Sequence, residues 1–170
     1  MKKWCVYYQV QRYELVDYVA ADLEITDELY EKIQENIENG IPVHSGEVGE
    51  ELEKLAQKST ESFKIKPSMK ELDCSLSGIE NKCRKMLSDN KSRGDISKFC
   101  LLSVYAAINK MTELALLKFG QLPVVFAGGV MSNSIIREKL SDNFDAYFAK
   151  PEFSCDNAAG TAIYASLKYK

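Results

Sequence analysis

The chain has 170 residues, of which 45% are hydrophobic and 28% charged, so it is long enough for one domain with a sizeable apolar core. A net charge of −3 and a pI near 5.4 exclude a strongly basic nucleic-acid-binding protein. The local cluster Lys82, Arg84 and Lys85 is interpreted either as a nucleic-acid contact or as a solvated helix face.

The cysteines are odd in number and form no C-x-x-C pair, which excludes a zinc ribbon and a dithiol redox centre. They are Cys5, Cys74, Cys83, Cys100 and Cys155. The start "MKKWCVYYQV" is not a signal peptide, and we find no apolar run long enough to cross a bilayer. We therefore expect a cytoplasmic protein without a membrane partner.

The first elements in chain order are an antiparallel hairpin and a helix. "WCVYYQV" and "YELVDYV" are rich in strand formers and are separated by a tight reversal. Thr26 and Asp27 begin a helix that continues through "ELYEKIQENI" to Asn39-Gly40. A turn, "IPVHSGEVG", then leads into a short helix, "EELEKLAQK".

The middle of the chain predicts a loop with a short strand in "STESFKIKPSMKELD", followed by two helices. In "SLSGIENKCRKML", Ser77 and Glu80 have the spacing of a capping box. The longest helix runs from Gly94-Asp95 to Lys118 and ends at Gly120. Its apolar stripe, widened on its flanks, predicts burial on more than one side. The stripe and its flanks are Ile96, Phe99, Cys100, Leu101, Leu102, Val104, Ile108, Met111, Leu114, Ala115 and Leu117.

From Pro123 onward the pattern is strand, turn, helix, strand, loop and helix. "VVFA" predicts an inner strand covered on both faces, "AYFA" a second strand, and "NAAGTAIYASLK" a final helix. These elements predict one α/β domain, a mixed sheet with an N-terminal antiparallel hairpin and flanking helices.

Two turns could carry chemistry. In "FAGGVMSN", Gly128 and Gly129 either let backbone amides approach a ligand or simply make a compact turn. The helix after them would attract a phosphate or carboxylate, with Ser132 or Asn133 as its cap or as a ligand contact.

In "FSCDNAAGTA", Asp156 or Asn157 could cap a helix, or Asp156 could bind a metal. The chain has a single histidine, His44, so no serine-histidine-acid or cysteine-histidine set can be argued beyond it.

Together the motifs resemble the TsaD/Gcp family, the tRNA threonylcarbamoyladenosine transferases formerly called O-sialoglycoprotein endopeptidases. "VVFAGGVMSNSIIREKL" followed by "AYFAKPEFSCDNAAGTAIYA" resembles the family's GGV-x-x-N turn, its LR-containing helix and its C-x-DNAA-type turn. "DCSLSGIENK" resembles its FSFSG-L-K-T helix start, and "GIPVHSGEVGEELEKLA" its G-L-P-Y-P-G-G-P segment with EKLA. "QRYELVDYVAADLEITDELYEK" is similar to the family's QYELL hairpin and GEAFDK helix.

The resemblance implies a single lobe, residues 1–170, of the actin-like ATPase fold, with the family's first lobe absent. It implies that Gly128, Gly129 and Asn133 contact an adenylate and that Asp156 binds a metal. It also implies substrate contacts by Glu31 and Gly46, and Gly49 is a competing choice for the glycine. The departures are Glu80 in place of a lysine, His44 and Ser45 in place of Pro-Gly, and Gly160 in place of a larger residue.

These features leave two functional hypotheses open, and a further alternative is that the chain is a fragment of a longer protein that contains the first lobe. In the first, a first-lobe protein or other tRNA threonylcarbamoylation proteins complete a transferase that acts on tRNA. A divalent metal (iron or zinc) and an adenylate would then bind, and tRNA would bind only to the complete complex. In the second, the chain is a non-catalytic, degenerate paralogue that acts as a binding or scaffold protein and self-associates as a homodimer.

Overall fold

The computed structural model describes residues 47–150, and side chains are described from Gly49 onward. The N-terminal hairpin, the helix after it and the final helix all lie outside this range. The elements in chain order are α1 (Glu47–Gln57), β1 (Ser68–Lys70), β2 (Asp73–Ser75), α2 (Ser77–Ser88), α3 (Arg93–Phe119), β3 (Val124–Phe126), a 3-10 helix (Gly129–Ser132), α4 (Ser134–Asn143) and β4 (Ala146–Phe148). The α/β class is confirmed.

Helix α3 is the central element of the described residues and contacts α1, α2 and α4. Ser92 caps its start, with its hydroxyl accepting from Asp95 N at 3.0 Å, and Gly120, which has a φ of 92°, caps its end. The predicted apolar stripe forms much of the core, with these residues buried: Ile96, Cys100, Leu101, Val104, Ile108 and Met111. Leu117 is 82% exposed, so the predicted widening of the stripe is wrong at that position.

The same helix qualifies the expectation that no segment could span a bilayer. By length and composition alone, α3 is long and apolar enough to do so, and it is the one such helix within residues 47–150. Its stripe packs against the neighbouring helices, and the core helix of a globular domain passes the same test.

The N-terminus of α3 and helix α1 approach closely. A Cβ added to Gly94 would lie 2.9 Å from the Leu55 carbonyl oxygen, so only glycine fits there without a backbone shift. Beside this contact, Ser59 Oγ donates to Asp95 Oδ1 at 2.5 Å and Lys98 Nζ donates to the Ser59 carbonyl at 2.8 Å. The first hydrogen bond is the main reason that the pKa of Asp95 lies below its ordinary value of 3.8.

Helix α2 does not begin with the predicted capping box. Its N-cap is Leu76, which makes no side-chain cap hydrogen bond, and Ser77 is already helical. Ser77 Oγ instead pairs with Ser75 Oγ at 2.9 Å. Glu80 pairs with Arg84 one turn later, at 2.9 Å. The spacing was right, but the helix starts one residue too early for Ser77 to act as the cap.

The C-terminal part of the described range is a β3–α4–β4 unit with parallel strands. Val124, Val125 and Phe126 align with Ala146, Tyr147 and Phe148 respectively. Phe126 stacks on Phe148 with ring centroids 5.3 Å apart, on the face that joins the core.

The opposite face of this pair carries Val125 and Tyr147, which are 58% and 57% exposed. The expectation of a strand covered on both faces is therefore wrong for Val125. Within residues 47–150 the strands form two separate two-stranded sheets, β1–β2 antiparallel and β3–β4 parallel. The hairpin that the mixed sheet requires lies outside the described residues.

Candidate functional site

The GGV turn joins β3 to α4 through a short 3-10 helix. Gly128 has a φ of 113° and a ψ of 154°, a conformation in which residues with a Cβ are strained. Met131 N donates to the Gly128 carbonyl at 2.9 Å, and the Met131 side chain is buried. The double glycine therefore makes a compact turn anchored by a core methionine.

Asn133 caps α4, which decides between the two cap candidates. Its Oδ1 accepts from Ile136 N at 3.1 Å, the bond expected of an asparagine N-cap. Asn133 is only 9% exposed, whereas Ser132 is exposed and precedes the capping position. The capping asparagine is thus fixed in orientation by the helix that it starts.

The carboxylate of Glu53 in α1 lies at the N-terminus of α4. Glu53 Oε2 accepts from Asn133 Nδ2 at 2.8 Å, and Glu53 Oε1 accepts from Ser134 N at 3.1 Å. Ser134 Oγ donates to the same Oε1. Three donors at a helix N-terminus therefore hold one carboxylate, as the unpaired amides and dipole of a helix start favour.

The Glu53 contact bears on the prediction that the start of α4 attracts a phosphate or carboxylate. An anion does lie at the start of α4, but it belongs to the chain itself. A phosphate could take that place only by displacing Glu53. One hydrogen of the Asn133 amide is used by Glu53, and the amide's oxygen is used by Ile136. The second amide hydrogen and the backbone at Gly128 and Gly129 are the groups left to contact a ligand.

The local sequence pattern did not indicate Glu53 as a site residue. It is the glutamate of the EKLA segment, 80 residues before its partner Asn133. The resemblance of that segment to the family was the one signal that could have drawn attention to it.

A cavity of about 210 Å³ lies elsewhere, at the opposite end of β3 from the GGV turn. Its lining includes Leu122, Pro123 and Phe144, and none of the turn residues contributes to it. It is therefore not part of the candidate site.

Comparison with known proteins identifies the chain's relatives. The family model described as TsaD, tRNA N6-adenosine threonylcarbamoyltransferase, matches residues 3–163. The chain belongs to the TsaD family.

Several TsaD-family proteins are similar to the chain over most of its length. The probable bifunctional tRNA threonylcarbamoyladenosine biosynthesis protein of Thermoplasma acidophilum is 30% identical over 138 residues, which is 78% of this chain and 26% of that protein. Its counterpart in Thermoplasma volcanium is 32% identical over 136 residues, 77% of this chain and 25% of that protein. The tRNA N6-adenosine threonylcarbamoyltransferase of Methanococcoides burtonii is 32% identical over 126 residues, 71% of this chain and 37% of that protein. The chain thus spans about a quarter to somewhat over a third of these relatives.

The TsaD site residues predicted from the sequence fall into two groups. Gly128, Gly129 and Asn133 lie together on the GGV turn, as described above. Glu31, Gly46 and Asp156 lie outside the described residues, so their roles stay predictions. The competing Gly49 lies in the first turn of α1.

The TsaD family implies a divalent metal, and the donors within residues 47–150 do not by themselves fit a metal site. Asp156 is the only ligand that the resemblance assigns, and the chain has a single histidine, His44. Within residues 47–150, no group of three His, Cys, Asp or Glu side chains could hold a metal ion. We therefore derive no step through a metal.

Proposed function

We propose that the chain acts as the second lobe of a TsaD-type transferase and that a first lobe completes its site. In this function a threonylcarbamoyl group passes from its adenylate to the N6 amine of an adenosine in tRNA. The observation that carries the proposal is the GGV-x-x-N turn, in which Gly128, Gly129 and Asn133 lie together in a chain of this family.

The described geometry supports a contact with the neutral part of the adenylate at this turn. Because Glu53 already neutralises the positive end of α4, a second negative group there would meet like charge. The positive φ of Gly128 and the absence of side chains at the double glycine let a ligand approach the backbone. Asn133 can donate its second amide hydrogen to an acceptor on that ligand.

The chemical step has a simple balance. The adenosine N6 attacks the carbamoyl carbonyl carbon, the carbon–oxygen bond to the adenylate phosphate breaks, AMP leaves, and the amine loses one proton. Within this chain the turn would orient the adenylate so that its carbonyl faces the incoming amine. The residues that assist bond breaking belong to the first lobe under this proposal.

The test combines the chain with the part of the Methanococcoides burtonii relative that lies outside the matched region. The mixture receives threonylcarbamoyl-adenylate and tRNA, and nucleoside mass spectrometry measures the modified adenosine. We expect product from the mixture and a marked loss with Asn133→Ser, since serine keeps the helix cap but lacks the amide. Ser132→Ala is the matched control on the same turn. No product and no complex in the mixture would refute the proposal.

A second function, a non-catalytic binding or scaffold role, is favoured by one observation. Both polar atoms of the Asn133 side chain already bond within the protein, as they would in a purely structural turn. The exposed apolar side chains Val125 and Tyr147 would then contribute to a docking face that also supports self-association. This function predicts no rise in melting temperature with the adenylate, whereas a clear rise would contradict it.

A further inference from the structure

One region of the chain has a charge opposite to that of the whole. Residues 54–98 contain eleven Lys and Arg against six Asp and Glu, a local net charge of +5, while the chain carries −3. This region includes α2 and the extended segment that leads to β1. Both parts expose lysine side chains.

The extended segment separates its apolar and basic residues by alternation. Phe63 and Ile65 are half-buried, whereas Lys64 and Lys66 are exposed. The Phe63 ring packs edge-on against Phe99 of α3, with centroids 5.5 Å apart. The apolar side of the segment is therefore anchored to the core, and its two lysines face away from it.

Helix α2 carries a second pair of exposed lysines. Cys83 is buried against Cys100 of α3, while Lys82 and Lys85 are exposed. Phe99 and Cys100 are consecutive, so the extended segment and α2 pack on neighbouring sides of the same turn of α3. We call Lys64, Lys66, Lys82 and Lys85 the lysine surface.

The lysine surface is uncompensated within the described residues. None of its four side chains has an ion pair with another residue of 47–150. By contrast, Lys54 pairs with Glu51 and Lys110 with Glu113, each within one helix turn. Lys70 is left out of the surface because it stands opposite Asp73 in the β1–β2 register. Four exposed lysines without an ion pair to residues 47–150 thus lie on two segments that both pack against α3.

We propose that the lysine surface binds the phosphate backbone of tRNA. Lys64 and Lys66 are two residues apart in an extended chain, about 6.6 Å, which is close to the spacing of neighbouring phosphates along a nucleic-acid strand. Lysine contacts of this kind position a nucleic acid without reading its sequence. The choice of RNA as the polyanion rests on the proposed function. The inference also revises the expectation that tRNA binds only to a complete complex.

The experiment measures tRNA binding by the 170-residue chain through fluorescence anisotropy between about 50 and 200 mM salt. Each lysine–phosphate contact contributes roughly one unit to the slope of log K against log salt. The double variants K64Q/K66Q and K82Q/K85Q should therefore each flatten the slope by about two units. The control K118Q/K139Q removes the same charge from exposed lysines outside the surface and should leave the slope unchanged.

Four results would overturn the inference: no binding at low salt, an unchanged slope in either double variant, an equal effect of the control, or tighter binding of polyglutamate than of tRNA. Far-ultraviolet circular dichroism checks that the variants are folded. The assay needs no adenylate and no first lobe, so its failure is separate from failure of the transferase assay.

Discussion

The contact of Glu53 with the GGV turn predicts a large loss of stability on Glu53→Ala. The change removes three hydrogen bonds to a charged acceptor and leaves the amide of Asn133, a 9% exposed residue, without its partner. Leaving such a group unsatisfied costs about 1–3 kcal/mol, and loss of the favourable charge at a helix start adds about 0.3–1 kcal/mol. We expect the free energy of unfolding to fall by about 2–3 kcal/mol.

Urea denaturation and thermal melting of the 170-residue chain measure this loss. At 2–4 °C per kcal/mol for a chain of this size, the melting temperature should fall by roughly 4–12 °C. Glu53→Gln should lie between the wild type and Glu53→Ala, because its amide keeps one acceptor but places a donor against another donor.

Glu51→Ala is the matched control on the same helix. Glu51 pairs with Lys54 at the surface, a type of contact worth about 0.2–0.5 kcal/mol. If Glu53→Ala were as stable as Glu51→Ala, the Glu53 carboxylate would not hold the turn. The proposal that Glu53 keeps a second anion away from the start of α4 would then be contradicted.

Three further predictions concern the surroundings of α3. Gly94→Ala should lower the free energy of unfolding by about 1–3 kcal/mol in urea, because its Cβ would meet a backbone carbonyl. Gly78→Ala, with nothing within 4 Å, should be neutral or gain about 0.4–1 kcal/mol, and equal effects of the two would contradict the contact. Asp95, whose pKa lies below 3.8, should give the wild type a higher free energy of unfolding than Asp95→Asn at neutral pH. This difference in stability should shrink as the pH falls below about 4, because the carboxylate becomes protonated. A difference that grows in acid would contradict the prediction. The Cys83 thiol and burial raise the pKa of Cys100 well above its usual range, so peptide mapping should find Cys100 unalkylated at pH 8 until the chain unfolds. Cys83 should also stay unalkylated until then, because only 1% of its surface is exposed.

The sequence predicted the local elements well where periodicity or turn chemistry governs them. The stripe of α3 and its end at Gly120 follow from helical spacing and from glycine's access to positive φ, and the structure confirms both. The prediction of a capping box at Ser77 is wrong because such a box depends on where the helix starts, which residue spacing alone does not determine. The predicted burial of Leu117 is wrong because this residue lies in the last turn of α3, where none of the described elements covers it.

The candidate site was only partly predictable for a different reason. The turn residues Gly128, Gly129 and Asn133 are adjacent in sequence, so a motif can bring them to notice. Glu53 reaches that turn from 80 residues away, and tertiary packing alone brings the two together. The same holds for the lysine surface, whose two segments are related only through their packing on Phe99 and Cys100 of α3.

The hydrogen bond between Glu53 and Asn133 also has a consequence for local opening. Because it joins α1 to the start of α4, the turn cannot open fully while its amides remain bonded to the carboxylate of a docked α1. The backbone amides of Ser134 and Ile136 should therefore exchange with solvent in the same cooperative unit as the amides of α1. A surface turn would then share the protection of a core helix, and a ligand on the turn would slow exchange in α1.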